Sequence, residues 1–268
     1  MIKIKDEDFD IEKIADSGQC FRMNKLPDGS WSAAAGDKCC IIKEYDDKAA
    51  LIECPEEDDA FWKEYFDLDT DYSKYRSAAD TSDAFLTAAC EYGKGIRILK
   101  QDPWEMLISF IISQRKNIPA IQSCVEKLCM KWGTKTVRGI FAFPTPEQLS
   151  KATLDELSCC SLGYRAEYVY LAAKAVATGE KDLETFKMLS DEDLLCALLG
   201  FKGVGVKVAN CVSLFGYHRI GAFPIDVWID RVQKEYYEGR FPVEKYEGFA
   251  GVMQQYIFFY ARKAKLKI

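Results

Sequence analysis

The sequence predicts an α+β protein, with a small antiparallel sheet in residues 1–80 followed by a mainly helical region in residues 81–268. Two observations carry this. Up to about residue 54 the apolar residues alternate in short runs, as half-buried strands require, and from about residue 80 they recur at helical spacing. The strand runs are Gly18 to Met23, Trp31 to Ala35, Cys39 to Tyr45 and Leu51 to Cys54, with turns at Pro27-Asp28-Gly29 and Gly36-Asp37. Glu56-Glu57-Asp58-Asp59 reads as a solvated helix start, and Ala60 to Phe66 as the helix that leaves the sheet. Helices are then predicted over Ser82 to Tyr92, Pro103 to Ser113, Asn117 to Trp132, Thr145 to Leu149, Ala166 to Thr178 and Val243 to Lys265, with a helical hairpin before the last.

That hairpin, residues 190–216, organises the chain. Ser190 opens a short helix over Asp191 to Leu199, the run from Gly200 to Gly205 cannot continue it without strain, and a second helix starts at about Val206. Gly203 and Gly205 let the backbone come close to something, and uncapped amides at a helix start suit a phosphate. Lys207 sits in the first turn, beside the positive end of the dipole, where an ammonium is disfavoured. A partly desolvated lysine there loses its proton more readily and can serve as an amine nucleophile. Nineteen residues on, the Gly/Pro loop of residues 216–228 ends in Phe223-Pro224-Ile225-Asp226-Val227-Trp228, with Asp226 placed to cap a further helix. Taken singly, a helical lysine is usually a solvated charge and such an Asp only a cap; the ordered combination points further.

Composition narrows the class. The 268 residues carry a net charge of −6, which at first argues against a nucleic-acid partner. Its distribution reverses the argument: residues 1–80 hold 11 Lys and Arg against 21 Asp and Glu, leaving 25 against 21 in the region with the hairpin. The basic run Arg262-Lys263-Ala264-Lys265-Leu266-Lys267 adds to that side. No apolar run reaches the roughly 20 residues of a membrane span, and the N-terminus has no apolar signal core, so an intracellular protein, in cytoplasm, nucleoid or nucleus, is expected. The eleven cysteines include adjacent pairs, Cys39-Cys40 and Cys159-Cys160, and no CxxC, so reduced thiols are expected rather than a disulfide framework, zinc ribbon or iron–sulfur cluster.

The hairpin, the first-turn lysine and the Pro-Ile-Asp segment resemble the helix-hairpin-helix, Gly/Pro-rich loop and aspartate signature of the base-excision DNA glycosylases, the HhH-GPD superfamily. Ser17-Gly18-Gln19-Cys20-Phe21-Arg22, Gln101-Asp102-Pro103, Leu162-Gly163-Tyr164-Arg165-Ala166, Gly203 to Cys211, and Ala250-Gly251 with Gln254 and Phe258 make the chain most similar to the 8-oxoguanine DNA glycosylases. The resemblance implies a bifunctional glycosylase and AP lyase acting as a monomer on double-stranded DNA containing 8-oxoguanine. It gives Lys207 as nucleophile and Asp226 as the carboxylate stabilising the cation-like sugar. Gly18 falls where a glycine carbonyl accepts the N7 proton of 8-oxoguanine, Cys211 and Phe258 where the base is sandwiched, and Gln254 where its Watson–Crick edge is read. Tyr164 matches a wedge, Arg165 a contact to the orphaned base, and Gly203 and Gly205 the phosphate-binding hairpin. No metal or cofactor is required for catalysis; a structural monovalent cation at the hairpin is implied by resemblance alone.

Three positions depart from the family pattern. Arg115 stands where many relatives place an asparagine in the gap left by the flipped base, Ala120 where a second cytosine-reading arginine is expected, and Trp228 where a histidine often contacts phosphate. Two rival readings remain: an alkylated-base glycosylase, which needs Asp226 but no lysine, and a non-enzymatic DNA-binding module built on the hairpin.

Overall fold

The computed structural model describes residues 1–5, 8–46, 49–136 and 139–263. Five strands, β1 (Ile2–Ile4), β2 (Met23–Lys25), β3 (Trp31–Ala35), β4 (Lys38–Asp46) and β5 (Ala49–Glu53), form one antiparallel sheet in the order β1-β5-β4-β3-β2. Ile42 and Ile2 both pair with Ile52, so their side chains share a face. Two helices, α1 (Ile11–Asp16) and α2 (Asp59–Tyr65), supply Ile11, Ile14, Trp62 and Tyr65 to the core on that face.

The chain then becomes helical: α3 (Tyr72–Ser77), α4 (Ala84–Tyr92), α5 (Pro103–Ser113), α6 (Ile118–Trp132), α7 (Pro146–Leu149), α8 (Leu154–Ser158), α9 (Arg165–Ala177), α10 (Asp191–Leu199), α11 (Val206–Phe215), α12 (Val227–Tyr236) and α13 (Ala250–Lys263). Asp102, Asn117, Ser190 and Asp226 cap α5, α6, α10 and α12 by accepting from backbone amides, so polar signals in the sequence mark these helix starts. The buried helix α5 lies at the centre, against α6, α9 and α11. Among the described residues no helix is long and apolar enough to cross a membrane.

The fold departs from the sequence expectation in several elements. Gly18 to Met23 is not a strand: Gly18 has φ +77°, and pairing starts only at Met23. The predicted helix over Val243 to Lys265 is broken, with a 3-10 turn at Val243–Tyr246, a left-handed Gly248 at φ +83°, and α13 starting at Ala250. Residues 264–268, with the rest of the basic run, lie outside the described residues. The elements β1, α1, α3 and α8 had no counterpart in the sequence reading; each is six residues or fewer.

Candidate active site

Lys207 lies in the first turn of α11, whose start at Gly205 has no side-chain cap. Its ammonium rests 5.3 Å from the centroid of the Phe110 ring, which stacks on Phe215 and meets Phe21 edge-on. The ammonium therefore lies over an aromatic floor, and the residue as a whole is half-buried. Lys207 forms no ion pair among the described residues, in contrast with neighbouring Lys202, which is 2.7 Å from Glu167.

Asp226 is held by its own helix. Its Oδ1 accepts from the amides of Trp228 at 3.0 Å and Ile229 at 2.9 Å. Both bonds fall on one oxygen, so among the described residues Oδ2 has no hydrogen-bond partner. Burial raises the carboxyl pKa, and the Ile229 amide, the Lys207 ammonium and the Trp228 amide all pull it back down. Cys211, one turn beyond Lys207, senses the same two charges: burial raises its thiol, the lysine lowers it and the aspartate raises it. Lysine, carboxylate and thiol therefore share one electrostatic site, built from the N-terminal halves of α11 and α12.

Of the residues expected around the base, Gly18 comes from the sheet domain. An ideal Cβ on Gly18 would lie 3.3 Å from the Phe258 ring and 3.4 Å from Ile118, so Gly18 and Phe258 are neighbours. Gln19 anchors the turn: its Nε2 donates to Ser17 Oγ and the Arg97 carbonyl, and its Oε1 accepts from the Leu99 amide, each at 2.8 Å. Arg262 braces the opposite end, donating to the carbonyl and the carboxylate of Asp16 while its guanidinium lies 5.5 Å from the Phe258 centroid.

On α13, Gly251, Gln254, Gln255 and Phe258 fall on one face by their spacing. Gly251 packs so closely on the Ala222 and Ile220 carbonyls and Leu214 that no Cβ fits, which seats this face against α11 and the Gly/Pro loop. Gln254 is buried and donates to the Pro224 carbonyl at 3.0 Å, which joins it to the loop that carries Asp226.

The remaining predicted residues form a second group. Tyr164 is 52% exposed, next to Gly163 with φ +58°. Arg165 is buried: it stacks on Tyr164 at 4.4 Å and donates to the carbonyls of Leu162 and Gln114. Arg115 is exposed and left-handed at φ +52°, a strained conformation for a side chain of its size. Gln114 ties this turn to the hairpin by donating to the Gly203 carbonyl at 3.1 Å. Gly203, at φ +83°, packs on Tyr168, whose ring would lie 2.3 Å from an added Cβ, while Gly205 has open space. Trp228 is half-buried with the Arg231 guanidinium 5.6 Å from its ring. Ala120 accepts no such role; its amide donates to the cap Asn117.

Sequence reasoning gave no role to Phe110, Gln114, Tyr168 or Gln255, and read Arg262 only as part of a basic run. Only the adjacent amides Gln254-Gln255, inside the apolar run Val252 to Tyr260, left a signal in the sequence.

Residues 1–107 match the 8-oxoguanine DNA glycosylase N-terminal domain family, and residues 108–241 match the HhH-GPD superfamily of base excision DNA repair proteins. The chain belongs to the 8-oxoguanine DNA glycosylase family. It is similar to the solved Clostridium acetobutylicum 8-oxoguanine glycosylase/lyase, in complex with double-stranded DNA containing cytosine opposite 8-oxoG, with 34% identity over 97% of this chain and 94% of that one and a TM-score of 0.91. Among curated proteins, an N-glycosylase/DNA lyase of Saccharomyces cerevisiae is 39% identical over 54% of this chain but only 43% of its own length. A probable N-glycosylase/DNA lyase of Methanothermobacter thermautotrophicus is 29% identical over 75% of this chain and 74% of that protein.

Proposed function

We propose that the protein is a bifunctional DNA repair enzyme that excises 8-oxoguanine from duplex DNA and cleaves the resulting abasic strand. The observation that supports it best is the site shared by Lys207 and Asp226: a lysine without an ion-pair partner among the described residues and a half-buried carboxylate coupled to it electrostatically. An alkylated-base glycosylase has no need of the first, and a hairpin that only grips phosphate needs neither.

A base must leave the stack before it can be cut, at a cost of a few kcal/mol. Exposed Val206, Ile225 and Val227 flank the two charged residues in sequence, so DNA lying over them would exclude water from the site. Lys207 Nζ bonds to the sugar C1′ as the glycosidic bond breaks and the base leaves with the bonding electrons, while Asp226 stabilises the positive charge that develops on the sugar. Ring opening gives a Schiff base. Loss of a C2′ proton then expels the 3′-phosphate, which breaks the strand.

In this reading the Gly18 carbonyl accepts the N7 proton that guanine lacks, Phe258 and Cys211 hold the two faces of the base, and Gln254 meets its edge. Tyr164, Arg115 and Arg165 take the gap and the orphaned base, and the hairpin of Gly203 and Gly205 takes backbone phosphate. A monovalent cation at the hairpin would rest on backbone carbonyls, because residues 200–206 carry no carboxylate and their one charged side chain, Lys202, is paired with Glu167 at 2.7 Å. The carbonyls of Gly200 to Val204 would hold it, and it would steady the turn without entering the chemistry.

Borohydride reduction tests the proposal. It should trap a covalent adduct on duplex containing 8-oxoguanine, and Lys207→Gln should abolish both trapping and cleavage while leaving binding largely intact. An adduct that survives the substitution would remove Lys207 from its role.

A further inference from the structure

Gln255 is 3% exposed, and its Nε2 donates to Gln254 Oε1 at 3.1 Å. Its own Oε1 is buried with no partner among the described residues. Gln255 thus spends one polar group on its neighbour and leaves the other unsatisfied, a cost with no return in stability. The chemistry of the partners fixes both amides. The Pro224 carbonyl can only accept, so Gln254 must present nitrogen to it and oxygen to Gln255; that oxygen can only accept, so Gln255 must present nitrogen in turn.

We infer that Gln255 is a positioning residue for base recognition, one that holds the Oε1 end of the Gln254 amide in the orientation set by the Pro224 carbonyl and so strengthens a preference for a guanine-type over an adenine-type edge. The inference rests on the proposed placement of Gln254 at the base edge. After its two protein bonds Gln254 keeps one N–H and one Oε1 lone pair. A guanine-type edge presents the O6 acceptor beside the N1–H and N2–H donors, whereas an adenine-type edge presents an amino donor beside the N1 acceptor. The amide turned by half a revolution would match the second. That turn sets Gln254 Oε1 against the Pro224 carbonyl, so this bond is lost and two acceptors face each other, and the second bond survives only if Gln255 turns as well and leaves its Nε2 instead of its Oε1 unpartnered in a buried site. Gly18 cannot make this distinction, because 8-oxoguanine and 8-oxoadenine both carry a proton on N7.

The test is single-turnover excision from duplexes carrying 8-oxoguanine or 8-oxoadenine opposite cytosine, by the natural protein and by Gln255→Leu. Cleavage at a preformed abasic site, which has no base to read, runs beside it. In the variant the 8-oxoguanine to 8-oxoadenine rate ratio should fall about tenfold or more, the scale of one misplaced bidentate contact. Abasic-site cleavage should fall far less, and the melting temperature should hold or rise as the unpaired Oε1 disappears. Gln255→Met keeps the length without the donor and replaces the leucine variant if that one does not fold. An unchanged ratio in a folded variant, or an equal fall in all three activities, overturns the inference. A natural protein that excises neither oxidised purine removes the proposed function itself, and the inference with it.

Discussion

At the scale of single residues, Asp226 caps α12 and is coupled electrostatically to Lys207. A cap alone would work at any pH above the ordinary carboxylate range of about 4. Burial raises this carboxyl, so the form that stabilises a developing cation is lost at a higher pH than for a solvated aspartate. The acid limb of the excision rate should therefore lie above that range and vanish in Asp226→Asn, whose residual slow rate should be flat there. An acid limb unchanged in the variant would assign the titration to another group. Ala120 makes the second prediction at this scale. With one arginine absent, only Arg165, held against Gln114 and Leu162, and the exposed Arg115 remain to read the base opposite the lesion. One bidentate arginine contact is worth about 1–3 kcal/mol of discrimination. Excision should favour cytosine only modestly over adenine, guanine and thymine, and Ala120→Arg should sharpen it; single-turnover rates on the four duplexes decide.

At the scale of elements, the two hairpin glycines are glycines for different reasons. Gly203 lies beneath Tyr168 in a left-handed conformation, whereas Gly205 has ordinary φ and open space. Gly203→Ala should destabilise the fold by about 1–3 kcal/mol, part of it recovered when Tyr168 is also cut to Ala, while Gly205→Ala should change stability little and act on DNA affinity. Equal melting temperatures for the two alanine variants would refute the distinction. The sequence shows both glycines and their spacing but not the ring above one of them, because that ring comes from α9, more than thirty residues away. Other elements divide in the same way. Helices α5, α6, α10 and α11 were legible because each has a cap or glycine signal and at least two turns of apolar spacing. The Ser17 to Arg22 turn alternates like a strand, yet its shape is imposed by Gln19 bonding to Arg97 and Leu99, contacts across some 80 residues. Lys207 and Asp226 were singled out by a local motif, and Cys211 only by the family resemblance. Phe110 beneath the lysine and Arg262 behind Phe258 were not, since each acts only through a tertiary contact.

At the scale of the whole molecule, the sheet domain is tied to the helices by buried charge. Arg97 is fully buried and donates to the carbonyls of Phe66, Asp8, Asp67 and Thr70. Asp67 accepts from Tyr72 at 2.9 Å and lies 3.0 Å from Lys100, with His218 of the Gly/Pro loop at 3.6 Å. The joint that titrates near neutrality is a different one. Glu105 of α5 lies 3.7 Å from Arg22, which precedes β2, and both are buried. Burial pushes the Glu105 carboxyl up to about 7, against the downward pull of Arg22. A raised carboxyl binds more protons folded than unfolded, so its stabilisation is complete below pH 4.5, the ordinary value, and is lost as pH rises through about 7. The full change is about 3 kcal/mol at 1.36 kcal/mol per unit. Glu105→Gln cannot ionise and should escape that loss. Its unfolding free energy, relative to the natural protein, should therefore rise by about 2–3 kcal/mol between pH 5 and pH 8 in denaturant titrations. Arg22 stays charged in both proteins, so its own burial cost cancels from the pH dependence. A difference that stays flat would mean that the guanidinium keeps Glu105 ionised throughout, and that Coulomb attraction outweighs desolvation at this joint.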